Sequence, residues 1–151
     1  MDPLITAARA AARHAHAPYS GFAVGCAVES VDGEVAVGVN LENASYRLGL
    51  CAEQAALAAA QLAFGLDRVA RIAVAGGDGS GAALAGSSPV TPCGGCRQAI
   101  AEAAQRSGID IVVLCASGDG RIVERHLLSS LLPGAFGPAD MGLAATPDLP
   151  A

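Results

Sequence analysis

Two cysteine clusters constrain this chain more than any other part of its sequence. The first, Cys51-Ala52-Glu53-Gln54, opens an Ala-rich stretch that predicts a helix. The second, Pro92-Cys93-Gly94-Gly95-Cys96-Arg97-Gln98, opens another predicted helix, and its two cysteines stand three residues apart. On a helix, that spacing places both side chains on one face, with Cβ atoms about 5–6 Å apart. A fold that joins the two helix starts would therefore gather three thiols and one carboxylate.

That donor set is typical of a catalytic zinc site, which has three protein ligands and a fourth position open to water. We therefore expect Cys51, Cys93 and Cys96 to hold one Zn²⁺ per chain, with Glu53 beside it. Thiols at helix starts should have a lowered pKa, because the positive end of the helix dipole favours the thiolate. Three thiolates bring much negative charge, so a basic group should lie nearby, and Arg97 is the nearest candidate in the sequence.

Two other interpretations of the cysteines remain open from the residues alone. Cys93-Gly94-Gly95-Cys96 also resembles a thiol redox pair at a helix start, but that hypothesis leaves Cys51-Ala52-Glu53 unexplained. A structural zinc site would need a fourth ligand. Cys26 and Cys115 each stand alone in a strand pattern, which indicates packed thiols instead of ligands.

Composition limits the size and the partners of the protein. With 151 residues, 52% of them hydrophobic, the chain has the length of one domain over residues 1–151, and we expect its tail from about residue 141 to be flexible. A net charge of -5 argues against nucleic-acid binding, which depends on clustered Lys and Arg. Only 3% of the residues are aromatic, so a stacking platform for bases is not expected. A small, weakly charged substrate fits better.

Cysteine usage and the N-terminus indicate where the protein works. Five cysteines are an odd number, and a Cys-x-x-Cys cluster is typical of a reducing compartment. Arg9 and Arg13 interrupt the apolar run that a signal peptide would need. No uncharged apolar run approaches the roughly 20 residues of a membrane helix. We therefore expect a cytoplasmic protein without a membrane partner.

The order of predicted elements gives the fold class. Asp2 and Pro3 begin a helix, and Asp32-Gly33 predicts a hairpin between two strands. Helices and strands then alternate, which favours an α/β fold with three α/β/α layers and a single mixed sheet of about five strands. The segment from Gly76 to Ser88 is rich in Gly, Ser and Ala, and we interpret it as a mobile surface loop.

These motifs resemble those of the small homotetrameric cytidine deaminases. Cys51-Ala52-Glu53 with Pro92-Cys93-Gly94-Gly95-Cys96 is similar to the signature of zinc deaminases, with Cys as the first ligand. The match runs from about residue 18 to residue 140. Within it, three further segments resemble family motifs: Phe22-Ala23-Val24-Gly25, Asn40-Leu41-Glu42-Asn43-Ala44 and Leu131-Leu132-Pro133-Gly134-Ala135-Phe136-Gly137.

The resemblance implies hydrolytic deamination of cytidine and 2′-deoxycytidine, as in pyrimidine salvage, by a homotetramer whose sites are shared between subunits. Glu53 would carry protons from the attacking water to N3 of cytosine and to the leaving amine. The implied substrate contacts are Asn40 and Glu42 to the ribose 3′-hydroxyl, the Ala52 N–H to the base O2, the Thr91 carbonyl to the amine, and Phe22 in the pocket wall. Ala44, Tyr46 and Phe136 would reach into a neighbouring subunit's site. A blasticidin-type aminonucleoside is the alternative substrate.

Some residues allow more than one interpretation, and others depart from the family pattern. From spacing alone, Asn40 and Glu42 fit turn chemistry as well as contacts to ligand hydroxyls. Gln54 stands where many tetrameric members have an Arg that offsets thiolate charge. Arg47-Leu48 stands where a Pro is common, and the segment 76–88 is longer than we expect. The first departure concerns the charge balance at zinc, and the others concern loop shape.

Overall fold

Five strands form one sheet in the computed structural model, which describes residues 1–144. The strands are β1 (Phe22–Ser30), β2 (Val35–Val39), β3 (Val69–Asp78), β4 (Val112–Ser117) and β5 (Val123–Leu127). The helices are α1 (Pro3–Ala12), α2 (Ala52–Ala63), α3 (Gly94–Ser107) and the short α4 (Leu128–Leu131). The expected flexible tail from about residue 141 lies mostly outside the described residues, so that expectation stays a prediction.

The sheet is mixed, with the strand order β2-β1-β3-β4-β5. β3 and β4 run parallel, whereas β1 is antiparallel to both β2 and β3, and β4 is antiparallel to β5. A parallel pair needs a crossover connection, and α3 provides it between β3 and β4. The predicted fold class is therefore confirmed.

Helix α1 covers one face of the sheet because the strand beneath it carries small residues. The Asp2 side chain caps the helix by accepting a hydrogen bond from Leu4 N at 2.9 Å. Leu4, Ile5 and Ala8 are buried against the sheet. A Cβ atom on Gly25 of β1 would stand 2.0 Å from the carbonyl oxygen of Ala8, so only glycine allows this approach.

Helices α2 and α3 pack on the opposite face, above the larger side chains of the strands. Cys26 and Cys115 belong to this core together with Val74, and all three are fully buried. The interpretation of both strand cysteines as packed thiols is thus confirmed. A Cβ on Gly38 of β2 would stand 2.2 Å from Ala56 N, which shows how closely α2 lies on the sheet. No helix in the described part of the chain is long and apolar enough to span a membrane.

The expectation of a surface loop from Gly76 to Ser88 is wrong at its beginning. β3 continues through Gly77 to Asp78, and the chain returns to form two backbone hydrogen bonds between Asp78 and Ala85, of 2.8 and 3.0 Å. A Cβ on Gly77 would stand 1.9 Å from Ala85 O, so the glycines permit a close strand contact where their composition indicated a loop. Leu84 is also buried, which fixes the return segment to the core.

Candidate active site

The start of α2 faces a cavity of about 390 Å³ with its end and not with its side. Cys51 is the extended N-cap residue of α2, with φ -76° and ψ 149°. Cys51, Ala52 and Glu53 line the cavity in succession. Since successive helical residues point about 100° apart, three neighbours share a cavity only at a helix end. The sequence required this orientation if Cys51 and Glu53 were to act in one site.

The start of α3 completes a cluster of three thiols. Cys93 is the N-cap of this helix, and Cys96 is buried in its first turn. The Sγ atoms of Cys51, Cys93 and Cys96 all lie within 4.8 Å of one another, and all three cysteines are free of disulfide bonds. Tetrahedral zinc with Zn–S bonds near 2.3 Å needs sulfur atoms about 3.8 Å apart. The cluster therefore fits one Zn²⁺ with small side-chain adjustments.

The pKa values of the three thiols differ, contrary to the expectation that every helix start lowers them. The backbone N–H of Cys96 donates to Cys93 and lowers the pKa of that thiol. Burial raises the pKa of Cys51 and that of Cys96. The prediction is thus wrong for two of the three thiols, because desolvation outweighs the helix dipole. A bound dication stabilises the thiolate form strongly enough to overcome such a shift.

Glu53 is the carboxylate beside this cluster. Its side chain is 5% exposed. Burial makes the largest contribution to the raised pKa of Cys96, and the negative charge of Glu53 makes the second largest. The same charge also raises the pKa of Cys51. Within residues 1–144, no protein group donates a hydrogen bond to its carboxylate. The carboxylate is therefore free to exchange hydrogen bonds with water or with a ligand in the cavity.

Asn40 and Glu42 lie at the rim of the same cavity, and both are bonded to their own chain. The Asn40 side chain accepts from Val24 N at 2.8 Å and donates to the carbonyl of Phe22 at 2.9 Å. Glu42 accepts from the hydroxyl of Ser20, which lowers the pKa of this carboxyl further than any other contact. These bonds are not the local contacts of a turn, because their partners lie 16 to 23 residues away along the chain. Both side chains line the cavity, and their contacts to ligand hydroxyls stay a prediction.

The remaining lining is mostly apolar, and part of it was not anticipated. Thr91 lines the cavity as expected, since it lies directly before the second cysteine cluster. The β1 side chain in the wall is Val24, whereas Phe22 is 43% exposed and borders a neighbouring cavity with the segment 76–90. Val90, Leu41 and Leu50 were missed. Apolar residues in loops carry no signal that separates pocket walls from core.

Ala44, Tyr46 and Phe136 do not line the catalytic cavity of their own chain. Tyr46 is 80% exposed and Phe136 is 57% exposed, and Ala44 is also exposed. Tyr46 contacts the ring of Tyr19 edge-on, with ring centroids 6.0 Å apart. Gln98, two residues after Cys96, donates to the Phe136 carbonyl at 2.8 Å. The second cysteine cluster therefore holds the backbone that presents Phe136 to solvent.

Arg97 and Gln54 flank the cluster in different ways. Arg97 donates from Nε to the Pro92 carbonyl at 2.9 Å and from Nη1 to the Leu131 carbonyl at 2.8 Å. The guanidinium thus ties the residue before Cys93 to α4. Gln54 is exposed on the first turn of α2, and its Nε2 lies 4.0 Å from the place where a Cβ on Gly95 would stand. A role of either residue in charge balance stays a prediction.

Comparison with known proteins agrees with this geometry. Residues 2–115 match the family model described as the cytidine and deoxycytidylate deaminase zinc-binding region. A cytidine deaminase of Halalkalibacterium halodurans is 42% identical over 138 residues, which cover 91% of this chain and 95% of the relative. The cytidine deaminase of Sporosarcina psychrophila is 36% identical over 145 residues, covering 96% and 97% of the two chains.

Solved structures give the same result for the fold. The crystal structure of cytidine deaminase from Burkholderia pseudomallei has a TM-score of 0.74 at 39% identity, covering 89% of this chain and 97% of that one. The enzyme from Mycobacterium tuberculosis has a TM-score of 0.69 at 37% identity, covering 90% and 96%. Since the family model matches most of the chain and these relatives align along nearly its whole length, the protein belongs to the cytidine and deoxycytidylate deaminase family.

Proposed function

We propose that the chain hydrolyses cytidine and 2′-deoxycytidine to uridine and 2′-deoxyuridine and releases ammonia. The observation that carries this proposal is the buried carboxylate of Glu53 beside three thiols within 4.8 Å of one another, at the wall of a cavity of nucleoside size. Relatives named cytidine deaminase at 36–42% identity support the substrate.

Cys51, Cys93 and Cys96 would hold the zinc ion. When bound, zinc acidifies a water molecule and so supplies the nucleophile at neutral pH. Glu53 would receive one proton of the attacking water and deliver it to N3 of the cytosine ring as the water oxygen bonds to C4. The same carboxylate would then carry the proton of the new C4 hydroxyl to the departing amine, so that the C4–N bond breaks, ammonia leaves and the C4 carbonyl forms. Its freedom from protein hydrogen bonds suits a group that accepts and returns protons.

The other polar groups of the cavity orient the substrate. The first N–H groups of a helix have no acceptor inside it, so the Ala52 N–H is available to the base O2. The Thr91 carbonyl accepts from the exocyclic amine, which distinguishes cytosine from uracil. Asn40 and Glu42 contact the 3′-hydroxyl of the sugar. Phe22 lines the neighbouring cavity, with which the catalytic cavity shares Val90, and would form the wall on that side.

A free nucleoside suits the cavity better than a nucleotide. None of the residues that line it in the described structure is Lys, Arg or His. The Glu42 carboxylate stands at the rim, and the Ser20 hydroxyl keeps its pKa below the ordinary value, so it is charged at neutral pH. A phosphate group would be repelled there without a compensating cation.

The assembly and the cellular role are further parts of the proposal. The exposure of Tyr46 and Phe136 on one chain supports a homotetramer in which Ala44, Tyr46 and Phe136 complete a neighbour's site. Five free cysteines suit the reducing cytoplasm, where the reaction would recover pyrimidines for salvage.

A substrate panel tests the function directly. Cytidine, 2′-deoxycytidine, cytidine monophosphate, adenosine and a blasticidin-type aminonucleoside are incubated with the purified enzyme, and absorbance, ammonia and zinc per chain are measured. We expect turnover of the two cytidine nucleosides and one zinc per chain. Preferential turnover of the blasticidin-type compound would transfer the assignment to that substrate. A zinc-free protein that forms a Cys93–Cys96 disulfide with a thiol oxidant would support a redox protein instead.

A further inference from the structure

The turn before β1 is bonded to the rim of the cavity through one hydroxyl group. The Gly21 N–H donates to the Ala17 carbonyl at 2.9 Å and closes the turn. Inside it, Ser20 Oγ accepts from Phe22 N at 3.0 Å and donates its proton to Glu42 Oε1. Ser20 therefore has one bond to the start of β1 and one to a carboxylate that lies 22 residues further along the chain.

Glu42 is restrained at both ends by these contacts. Its backbone N–H donates to the His16 carbonyl at 2.7 Å. Its Oε2 accepts from Tyr19 N at 2.9 Å and from Ser20 N at 3.2 Å. A carboxylate offers about four acceptor positions, so three protein donors leave one position free, and it is on Oε1. A single sugar hydroxyl can occupy that position.

Ser20 differs from the other donors in its place relative to the cavity. It is the one side chain, among the described residues, that donates to the Glu42 carboxylate. It bonds the same oxygen that keeps the free acceptor position. Ser20 does not line the catalytic cavity but borders a second cavity on the other side of Glu42, together with Tyr19 and Tyr46. The Ser20 hydroxyl can act on the substrate through its two bonded partners, Glu42 and the backbone of Phe22, and of these only Glu42 lines the catalytic cavity.

We propose that Ser20 is a positioning residue for the sugar: its hydroxyl holds Glu42 Oε1 in the orientation in which the carboxylate accepts the hydroxyl of the bound nucleoside. This inference rests on the proposed function. A glutamate has three side-chain torsions, and the two backbone donors fix only Oε2. Loss of the Ser20 hydroxyl lets the carboxylate turn about Oε2, so that the remaining acceptor position no longer faces the sugar. The chemistry at Glu53 is unaffected.

The test compares three variants with the wild-type enzyme in steady-state kinetics on cytidine. Ser20→Ala removes the hydroxyl, Ser20→Thr keeps it, and the exposed position of Ser20 accommodates the added methyl group. Ser129→Ala is the matched control, because Ser129 also donates its hydroxyl and its backbone N–H to one carboxylate, that of Asp110, outside the residues that line the cavity.

We expect Ser20→Ala to raise KM for cytidine about 5- to 20-fold, near the lower end of the effect of a hydrogen bond to a charged group because Ser20 does not bind the substrate itself, with kcat within about twofold. Ser20→Thr should restore KM to within about threefold, and Ser129→Ala should leave both constants unchanged. Slow turnover of free cytosine, which has no sugar, should be the same in Ser20→Ala as in wild type.

Three results would overturn the inference: an unchanged KM in Ser20→Ala, a Thr variant as impaired as the Ala variant, or an equal loss on cytidine and on free cytosine. A thermal melt of each variant shows whether the protein is folded. A misfolded Ser20→Ala protein would lose turnover of cytosine as well as of cytidine, so an equal loss counts against the inference in a variant that melts like the wild type. Absence of cytidine turnover in the wild-type enzyme would instead overturn the proposed function itself. Turnover with an unchanged KM in Ser20→Ala overturns the role of Ser20 alone.

Discussion

The catalytic cavity contains two carboxylates with opposite surroundings. Glu53, beside the thiol cluster, is 5% exposed and has no hydrogen bond from residues 1–144. Glu42, at the rim, is more exposed and accepts hydrogen bonds from two backbone N–H groups and a hydroxyl. A group that moves protons must be able to change its partners, whereas a group that orients a sugar must not. In the proposed function, the carboxylate without protein donors carries out the chemistry, and the carboxylate held by three protein donors positions the sugar.

The largest effect is expected at Glu53. Glu53→Gln preserves the shape of the side chain but removes its ability to receive a proton, so kcat should fall by about 10²- to 10⁴-fold or more. Zinc content and thermal stability should stay at wild-type values, because the thiols are untouched. Substantial turnover in a zinc-loaded Glu53→Gln protein would contradict the role that separates Glu53 from Glu42.

The second effect is expected at Glu42 and should depend on the substrate. Glu42→Gln removes the charge, and because the amide oxygen can keep the N–H groups of Tyr19 and Ser20, the NH2 group takes the place of Oε1, so the acceptor position offered to the sugar is lost. We expect kcat/KM for cytidine to fall about 10- to 100-fold. Slow turnover of free cytosine should be spared, and an equal loss on both substrates would show that Glu42 does not contact the sugar.

A substitution of Phe136 tests whether another subunit supplies a part of the site that neither Glu53 nor Glu42 forms. Phe136→Ala should lower kcat/KM about 5- to 30-fold, the usual effect of truncating an aromatic side chain in an interface. Mixing this variant with Glu53→Gln chains should restore activity, because some sites of a hybrid tetramer then receive an intact residue from each chain. If activity did not recover after subunit exchange had been verified, Phe136 would act only within its own chain.

The smallest effect is expected from the charges around the thiols. Arg97→Gln removes a positive charge next to Cys96 and should lower zinc affinity and kcat/KM about two- to fivefold, with Gln54→Arg recovering part of the loss. Arg97→Gln should also lower the melting temperature, since Arg97 donates to two backbone carbonyls. A lower melting temperature with unchanged zinc affinity would mean that Arg97 is structural and that the charge argument is wrong.

The parts of the site that follow from local chemistry could be predicted from the sequence, and those that depend on distant contacts could not. Cys93 and Cys96 could be predicted to bind one metal ion, because residues three apart on one helix lie on the same face whatever the rest of the fold. The Ser20–Glu42 bond joins residues 22 positions apart, and a turn motif gives no signal for such a partner. Burial, a property of the folded chain, set the pKa of Cys51 and Cys96 against the expected direction.

The same distinction applies to the fold. Strand alternation and the Asp32-Gly33 turn predicted the β1–β2 hairpin, whose strands do pair antiparallel. The extension of β3 to Asp78 was missed because glycines are typical of loops. Here the glycines allow Ala85 to approach the strand, a tertiary contact that composition does not reveal.

The central claim is that zinc at the three thiols and Glu53 act together on cytidine, and a metal titration tests it most directly. The protein is stripped of metal with a chelator and reloaded stepwise, and uridine formation is measured against zinc bound per chain in wild type and in Glu53→Gln. Activity of the wild type should rise in proportion to zinc and level off at one ion per chain, while Glu53→Gln should bind the same zinc without turnover. Uridine formation by metal-free protein, or zinc saturation without any uridine in the wild type, would contradict the account.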